Sequence, residues 1–168
     1  MKIGIDSYSY HRFFGEWYAG LQEDPGTRMT VLDFLDRAVD LGAEGVSLES
    51  CFLPTDDASV EALGIELAAR ALVPVWAWGH PHGLRSGTDR EAAQDCARHL
   101  AIARQVGAQV MRICGGGRRT RPGSWAEHKR GLVELLLPLT EAAERQGVVM
   151  AIENHIDLLA DEMVELIE

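Results

Sequence analysis

Residues 148–159 read VVMAIENHIDLL, an apolar run that ends in Glu153, Asn154, His155 and Asp157. Burying a carboxylate at the end of such a run costs several kcal/mol unless something pairs with it. Glu153 is therefore either a working group or one half of an ion pair or helix cap. A working carboxylate here would move a proton or bind a hard metal ion. The same kind of ending recurs upstream. Asp6 closes KIGID (2–6), Glu49 closes EGVSLE (44–49), His80 follows LVPVWAW (72–78), and Arg112 lies in AQVMRIC (108–114). Any one of these polar residues can be a solvated loop start. Their recurrence at the same end of successive apolar runs points to a shared site.

The other candidates divide by surroundings. In an extended chain Val149, Ala151 and Glu153 share one side, and small Ala151 leaves space beside the carboxylate. Arg112 shares a side with Val110 and Cys114 and needs an anion. Glu49 or Glu153 would make it structural, and a substrate carboxylate or phosphate would make it functional. His80 and His82 form an H-x-H pair in WGHPHG, but Pro81 leaves its geometry open, and His82 reads as a surface loop residue. Trp76 and Trp78 read as core, although Trp78 is near enough to the rim to stack on a sugar ring. CGGGRRTRPG (114–123) offers three glycine amides and Arg118, Arg119 and Arg121, without the GK[ST] of a phosphate-binding P-loop; it reads as a solvated loop. Cys114 has no visible activating base and reads as structural.

The elements that must position these groups alternate. The five apolar runs, closing with GVVMAIE (147–153), read as strands, and helical stretches lie between them. Residues 30–42 place Val31, Leu35, Ala38 and Leu41 on one face, with Gly42 as a stop. Residues 88–107 begin with Thr88 and Glu91 in capping-box spacing, and residues 124–147 with Ser124 and Glu127. Pro138 is expected to kink or split the latter helix. Shorter helices are expected over 60–71, weakened by Gly64, and over 160–168. This β-α order implies parallel strands with right-handed crossovers. It fits an open doubly wound sheet or part of a (β/α)₈ barrel. The first strand is followed by IDSYSY rather than a glycine fingerprint, which disfavours a dinucleotide site. In a barrel, the polar strand ends would form the rim on which active sites are built.

Composition narrows the class. The 168 residues are 46% hydrophobic and 25% charged, enough for one globular domain. No run approaches the about 18 apolar residues of a membrane span. The net charge of −10, from 16 basic and 26 acidic residues, opposes binding to a polyanion. Cys51, Cys96 and Cys114 form no CxxC pair, so they read as reduced thiols of a cytoplasmic protein. A homo-oligomer is compatible with this composition.

At AIENHIDL the sequence resembles the xylose-isomerase-like (β/α)₈ superfamily of sugar and sugar-phosphate isomerases and epimerases. MKIGIDSYSY, EGVSLE, WGH and VMRICGGG are similar to its first four strands in order, and the preceding AAERQG to the helix end before its fifth. The resemblance implies a TIM barrel of which residues 1–168 supply the first five βα units as one domain, cut within the fifth helix. It implies that Glu153 is a ligand of a divalent metal (Mn, Mg or Co, with Zn less suited) and a proton-transferring base. It favours His80 and Tyr8 as facing a small sugar or sugar-phosphate substrate, and His155, Arg112 and Glu49 are further candidates for the same contact. Tyr10 and His11 accompany Tyr8, while Phe13, Phe14 and Trp17 suggest a local apolar cluster instead. The remaining metal ligands of the family lie on later strands, so this chain alone is expected to be inactive. The alternatives are an endonuclease IV-like DNA-repair nuclease with a zinc cluster, a dehydratase of a cyclic polyol or dehydroshikimate-type acid, and a non-catalytic binding domain.

Overall fold

A computed structural model describes residues 2–168. Five strands, β1 (Gly4–Asp6), β2 (Gly45–Glu49), β3 (Val73–Ala77), β4 (Val110–Cys114) and β5 (Val149–Glu153), form one sheet in sequential order, every neighbouring pair parallel. The connecting helices are α1 (Val31–Asp40), α2 (Asp57–Ala69), α3 (Arg90–Gln105) and α4 (Trp125–Gln146), and α5 (Ala160–Ile167) follows β5. The order never reverses, so the doubly wound alternative is excluded and the βα beat is that of a partial barrel.

The two faces of the sheet differ. Val46, Leu48, Trp76, Met111 and Ile113 point to the helix side and are buried with Phe34, Leu35, Leu67, Leu100 and Leu132. The alternate residues make the inner face. It is partly open to solvent, with Val149 still 65% exposed. Helix periodicity and strand alternation therefore serve one core, laid between the sheet and a single layer of helices.

Most helix starts follow the sequence, with two corrections. Thr30 and Asp33 make a full capping box on α1, and Ser124 accepts from the Glu127 amide at 3.3 Å on α4. On α3 the cap is Asp89, not the expected Thr88. The Asp89 carboxylate accepts from the Ala92 amide at 2.9 Å, while the Thr88 hydroxyl donates to the Arg85 carbonyl at 2.7 Å. A charged acceptor one residue later outcompetes the threonine. Asp56 similarly starts α2 three residues earlier than its apolar pattern suggests.

Pro138 does not split α4, which runs as one helix through it. Pro138 is exposed, so the carbonyl it leaves without a donor faces water, and buried Leu135, Leu139 and Ala143 hold the flanking turns. Gly64 has a packing reason: a Cβ there would meet the Gln105 carbonyl oxygen at 3.3 Å, where α2 crosses the end of α3.

Candidate active site

Arg112 is the hub of the inner face. Its neighbours in register are Ala77 on β3 and Ala151 on β5, two methyl groups that leave room for a long side chain to lie across the sheet. The guanidinium pairs with Glu49 of β2 and Glu153 of β5, and reaches Asp6 Oδ2 of β1 at 3.4 Å. One side chain from β4 thus ties the C-terminal ends of three other strands. Glu49 is the deepest of these carboxylates, only 7% exposed. Burial pushes its pKa up, and the Arg112 charge partly opposes that. Two features fix its position. Its backbone amide donates to Ser7 Oγ at 2.9 Å, and Gly79 leaves the space its carboxylate fills, since a Cβ there would lie 2.9 Å from Oε2.

The other expected residues gather less closely. Tyr8 follows β1, its amide donating to Asp6 Oδ1 at 2.7 Å. Its hydroxyl pairs with that of Tyr18, and its ring stacks on His11 at 4.9 Å and Phe52 at 6.3 Å. Phe52 in turn stacks on Phe14. Tyr8 therefore belongs to an aromatic cluster at the rim, and burial with the Tyr18 bond raises its pKa. His80 is half-buried, stacked on Trp78 at 5.0 Å, and its Nδ1 is buried without a hydrogen-bond partner among the described residues. Trp78 is not free to stack on a ligand, because it is buried beneath His80 with Nε1 bonded to Asp95 at 2.8 Å. His155 is exposed, and its ring makes no hydrogen bond among the described residues; its amide donates to Asp157 Oδ1 at 3.2 Å. Arg112, Glu49 and Glu153 thus meet directly, and His80, His155 and Tyr8 lie on the loops that follow β3, β5 and β1.

The arginine loop after β4 separates into two parts. Arg121 forks onto Glu162 at 2.7 and 2.6 Å and donates to the Asp157 carbonyl at 2.5 Å, which is structural. Arg118 and Arg119 are exposed. Cys114 donates to the Gly116 carbonyl at 2.9 Å, and burial pushes its thiol up to about 11, in keeping with a structural role. All three cysteines are free.

Three contributors were not read from the sequence. Ser7 holds Glu49, and His128 and Asp157 are buried together. His128 stands one turn before Leu132 in the stripe Leu132–Leu135–Leu139–Ala143, so its burial was readable from helical spacing. That of Asp157 was not.

Among the described residues no group of three or more His, Cys, Asp or Glu side chains is disposed to hold a metal ion. Glu153 already accepts a cation, the Arg112 guanidinium, so its oxygens suit one ligand position of a hard divalent ion. No helix among the described residues is long and apolar enough to cross a membrane.

The sequence profile of the xylose isomerase-like TIM barrel family matches residues 35–168, and the chain belongs to that family. Its fold is similar to that of a xylose isomerase domain protein from Planctomyces limnophilus. The TM-score is 0.69 at 18% identity, over 99% of this chain and 58% of that one. It is also similar to D-psicose 3-epimerase with D-tagatose from Clostridium cellulolyticum H10, with TM-score 0.72 and 16% identity over 99% and 59%. A third likeness is to the probable 3-DHS dehydratase AsbF of petrobactin synthesis from Bacillus anthracis, with TM-score 0.69 and 15% identity over 99% and 58%. The chain thus spans about three-fifths of the length of the structures it resembles. No curated protein matches its sequence.

Proposed function

We propose that this chain is part of a sugar isomerase or epimerase, acting on a sugar, sugar phosphate or polyol, in which Glu153 carries the proton. The observation behind this reading is the meeting of Glu49, Arg112 and Glu153 on the inner face at the strand ends, in a family whose fold neighbours include a D-psicose 3-epimerase. A proton leaves a carbon beside a carbonyl only if a base lies within reach and the negative charge is stabilised. Glu153 supplies the base. Arg112, held between two carboxylates, keeps Glu153 aimed. Buried Glu49, with its raised pKa, is suited to hold or return a proton to a substrate oxygen. His80 and His155 border the substrate, and Tyr8 offers an aromatic wall for a sugar's C–H face. A divalent ion (Mn, Mg or Co rather than Zn), with Glu153 as one ligand, would supply charge stabilisation at the substrate's carbonyl and hydroxyl oxygens. Cytoplasmic residence and assembly with further copies belong to the same proposal.

The dehydratase reading uses the same rim but asks Arg112 for a substrate carboxylate, and Arg112 is already engaged by protein carboxylates. The nuclease reading asks for a basic face, against a net charge of −10.

The test is turnover of a ketose panel and of 3-dehydroshikimate by the protein containing this chain, with and without Mn²⁺. Glu153→Gln is expected to lower epimerisation at least about a thousandfold while the fold is retained. Sugar turnover unchanged in Glu153→Gln sinks the proposal, and turnover of the acid alone moves the assignment to the dehydratase.

A further inference from the structure

A second polar cluster lies behind the rim, and the proposed chemistry does not use it. His128, in the first turns of α4, and Asp157, in the β5–α5 connection, have no solvent exposure. His128 Nε2 lies 3.8 Å from Asp157 Oδ2. Neither imidazole nitrogen nor that oxygen has a hydrogen-bond partner among the described residues. Such groups are costly to bury apart, so their burial together requires a close mutual approach.

What the pair holds is the segment directly after Glu153. Asp157 Oδ1 accepts from the His155 amide at 3.2 Å. Asn154 bonds Leu158 in both directions, at 2.7 and 3.2 Å. Glu162 accepts from the Leu159 amide at 2.7 Å and anchors Arg121, which donates to the Asp157 carbonyl. Inside this frame Ile156 has φ +67°, a left-handed conformation that a β-branched residue keeps only when its surroundings force it. The segment is strained; Leu158 seats it on the apolar core, and Asp157 is its buried polar anchor.

We propose that His128 is a positioning residue: through Asp157 it latches residues 154–159, and with them Asn154 and His155 beside Glu153, and the latch loosens on acidification. The sign follows from the surroundings of the imidazole. Burial lowers its pKa most and the Arg121 charge adds to that, while Asp157 and Glu162 raise it; the Trp125 ring meets it edge-on. The net direction is downward from 6.5, so the latched state holds neutral His128. A loosened segment admits water to the ring and takes up the proton first. Falling pH therefore favours the loosened state. Whether or not Glu153 carries the proton, the latch is read out by protection of a loop rather than by turnover.

Amide hydrogen exchange of the chain, corrected for intrinsic rates, tests it at about pH 7.5 and about pH 5.5. In the native sequence, exchange of 154–159 is expected to rise about tenfold at the lower pH, with β2, β3 and α3 unchanged. His128→Gln keeps a polar group near the Nε2 position but cannot titrate, and should stay protected at both pH values. His128→Leu should lose protection there at both, with the core protected. No pH response of 154–159 in the native sequence overturns the inference. So does any loosening of His128→Gln, which would assign the response to another group such as His155. Unchanged protection in His128→Leu, or loosening spread evenly over its core, does the same.

Discussion

Arg112 carries more of this molecule's electrostatics than any other side chain on the inner face, and its removal has a calculable consequence. Glu49 is nearly buried and its pKa already rises despite the guanidinium. Arg112→Met would leave it without a counter-charge, and breaking such a pair by removing one partner costs about 3 kcal/mol or more. Arg112→Lys keeps a charge but loses the fork that engages two carboxylates at once, so about half that loss is expected. Chemical denaturation of both variants checks the ordering. Equal stability of all three proteins would mean the carboxylates are solvated in solution. Glu49, Arg112 and Glu153 were legible in the sequence because each interrupts an apolar strand pattern where nothing polar is needed for folding. Asp157 was not, because HIDLL reads as a polar loop. Its burial depends on α4 and α5 closing over it, which no local pattern encodes.

At the scale of elements, the strand order and most of the helix faces were readable from periodicity, although on α1 the expected Leu41 is exposed and Phe34 is buried instead, whereas the loops were read only as polar. The β3–α3 loop shows why this matters. Ser86 donates its amide to the Gly115 carbonyl at 2.8 Å and shares its hydroxyl with Thr120 at 2.8 Å, so this loop and the one after β4 are joined. Gly87 then lies against α4. A Cβ on it would stand 2.1 Å from the Gly131 carbonyl carbon and 2.3 Å from the Leu132 nitrogen, at φ +85°. Backbone cannot yield as a flexible side chain can. Gly87→Ala is therefore expected to cost about 3 kcal/mol, from overpacking together with a left-handed backbone. At Gly123 an added methyl would find nothing within 4 Å and no left-handed backbone, so Gly123→Ala should leave the melting temperature unchanged. Equal melting temperatures for the two variants would show that the loop is not seated on α4. Glycine spacing in WGHPHGLRSG suggests a turn, but only the helix crossing reveals that one glycine is a packing necessity.

At the scale of the whole molecule, the inner face and the two sheet edges decide what the 168-residue chain does by itself. β1 and β5 are the outermost strands, and neither has a second neighbour in the sheet. A hollow of about 550 Å³ follows the β5 edge between α4 and α5, lined by Leu136, Leu137, Val149, Met150 and Ile167. Unpaired edges and apolar surface favour association between chains, while a net charge of −10 opposes it at low salt. Sedimentation velocity should therefore show association that grows with both protein and salt concentration. The same openness bears on catalysis. Water on the inner face weakens every charge interaction there, and Glu153 is one ligand where a divalent ion takes several. The chain alone is expected to bind Mn²⁺ with a Kd of about 1 mM or weaker and to show no sugar turnover, as titration calorimetry and a ketose assay would record. Association should raise neither quantity unless a second copy brings carboxylates to the Arg112 cluster. Tight Mn²⁺ binding by a monomer, lost in Glu153→Gln, would mean that Asp6, Glu49 and Glu153 can turn from Arg112 to the ion.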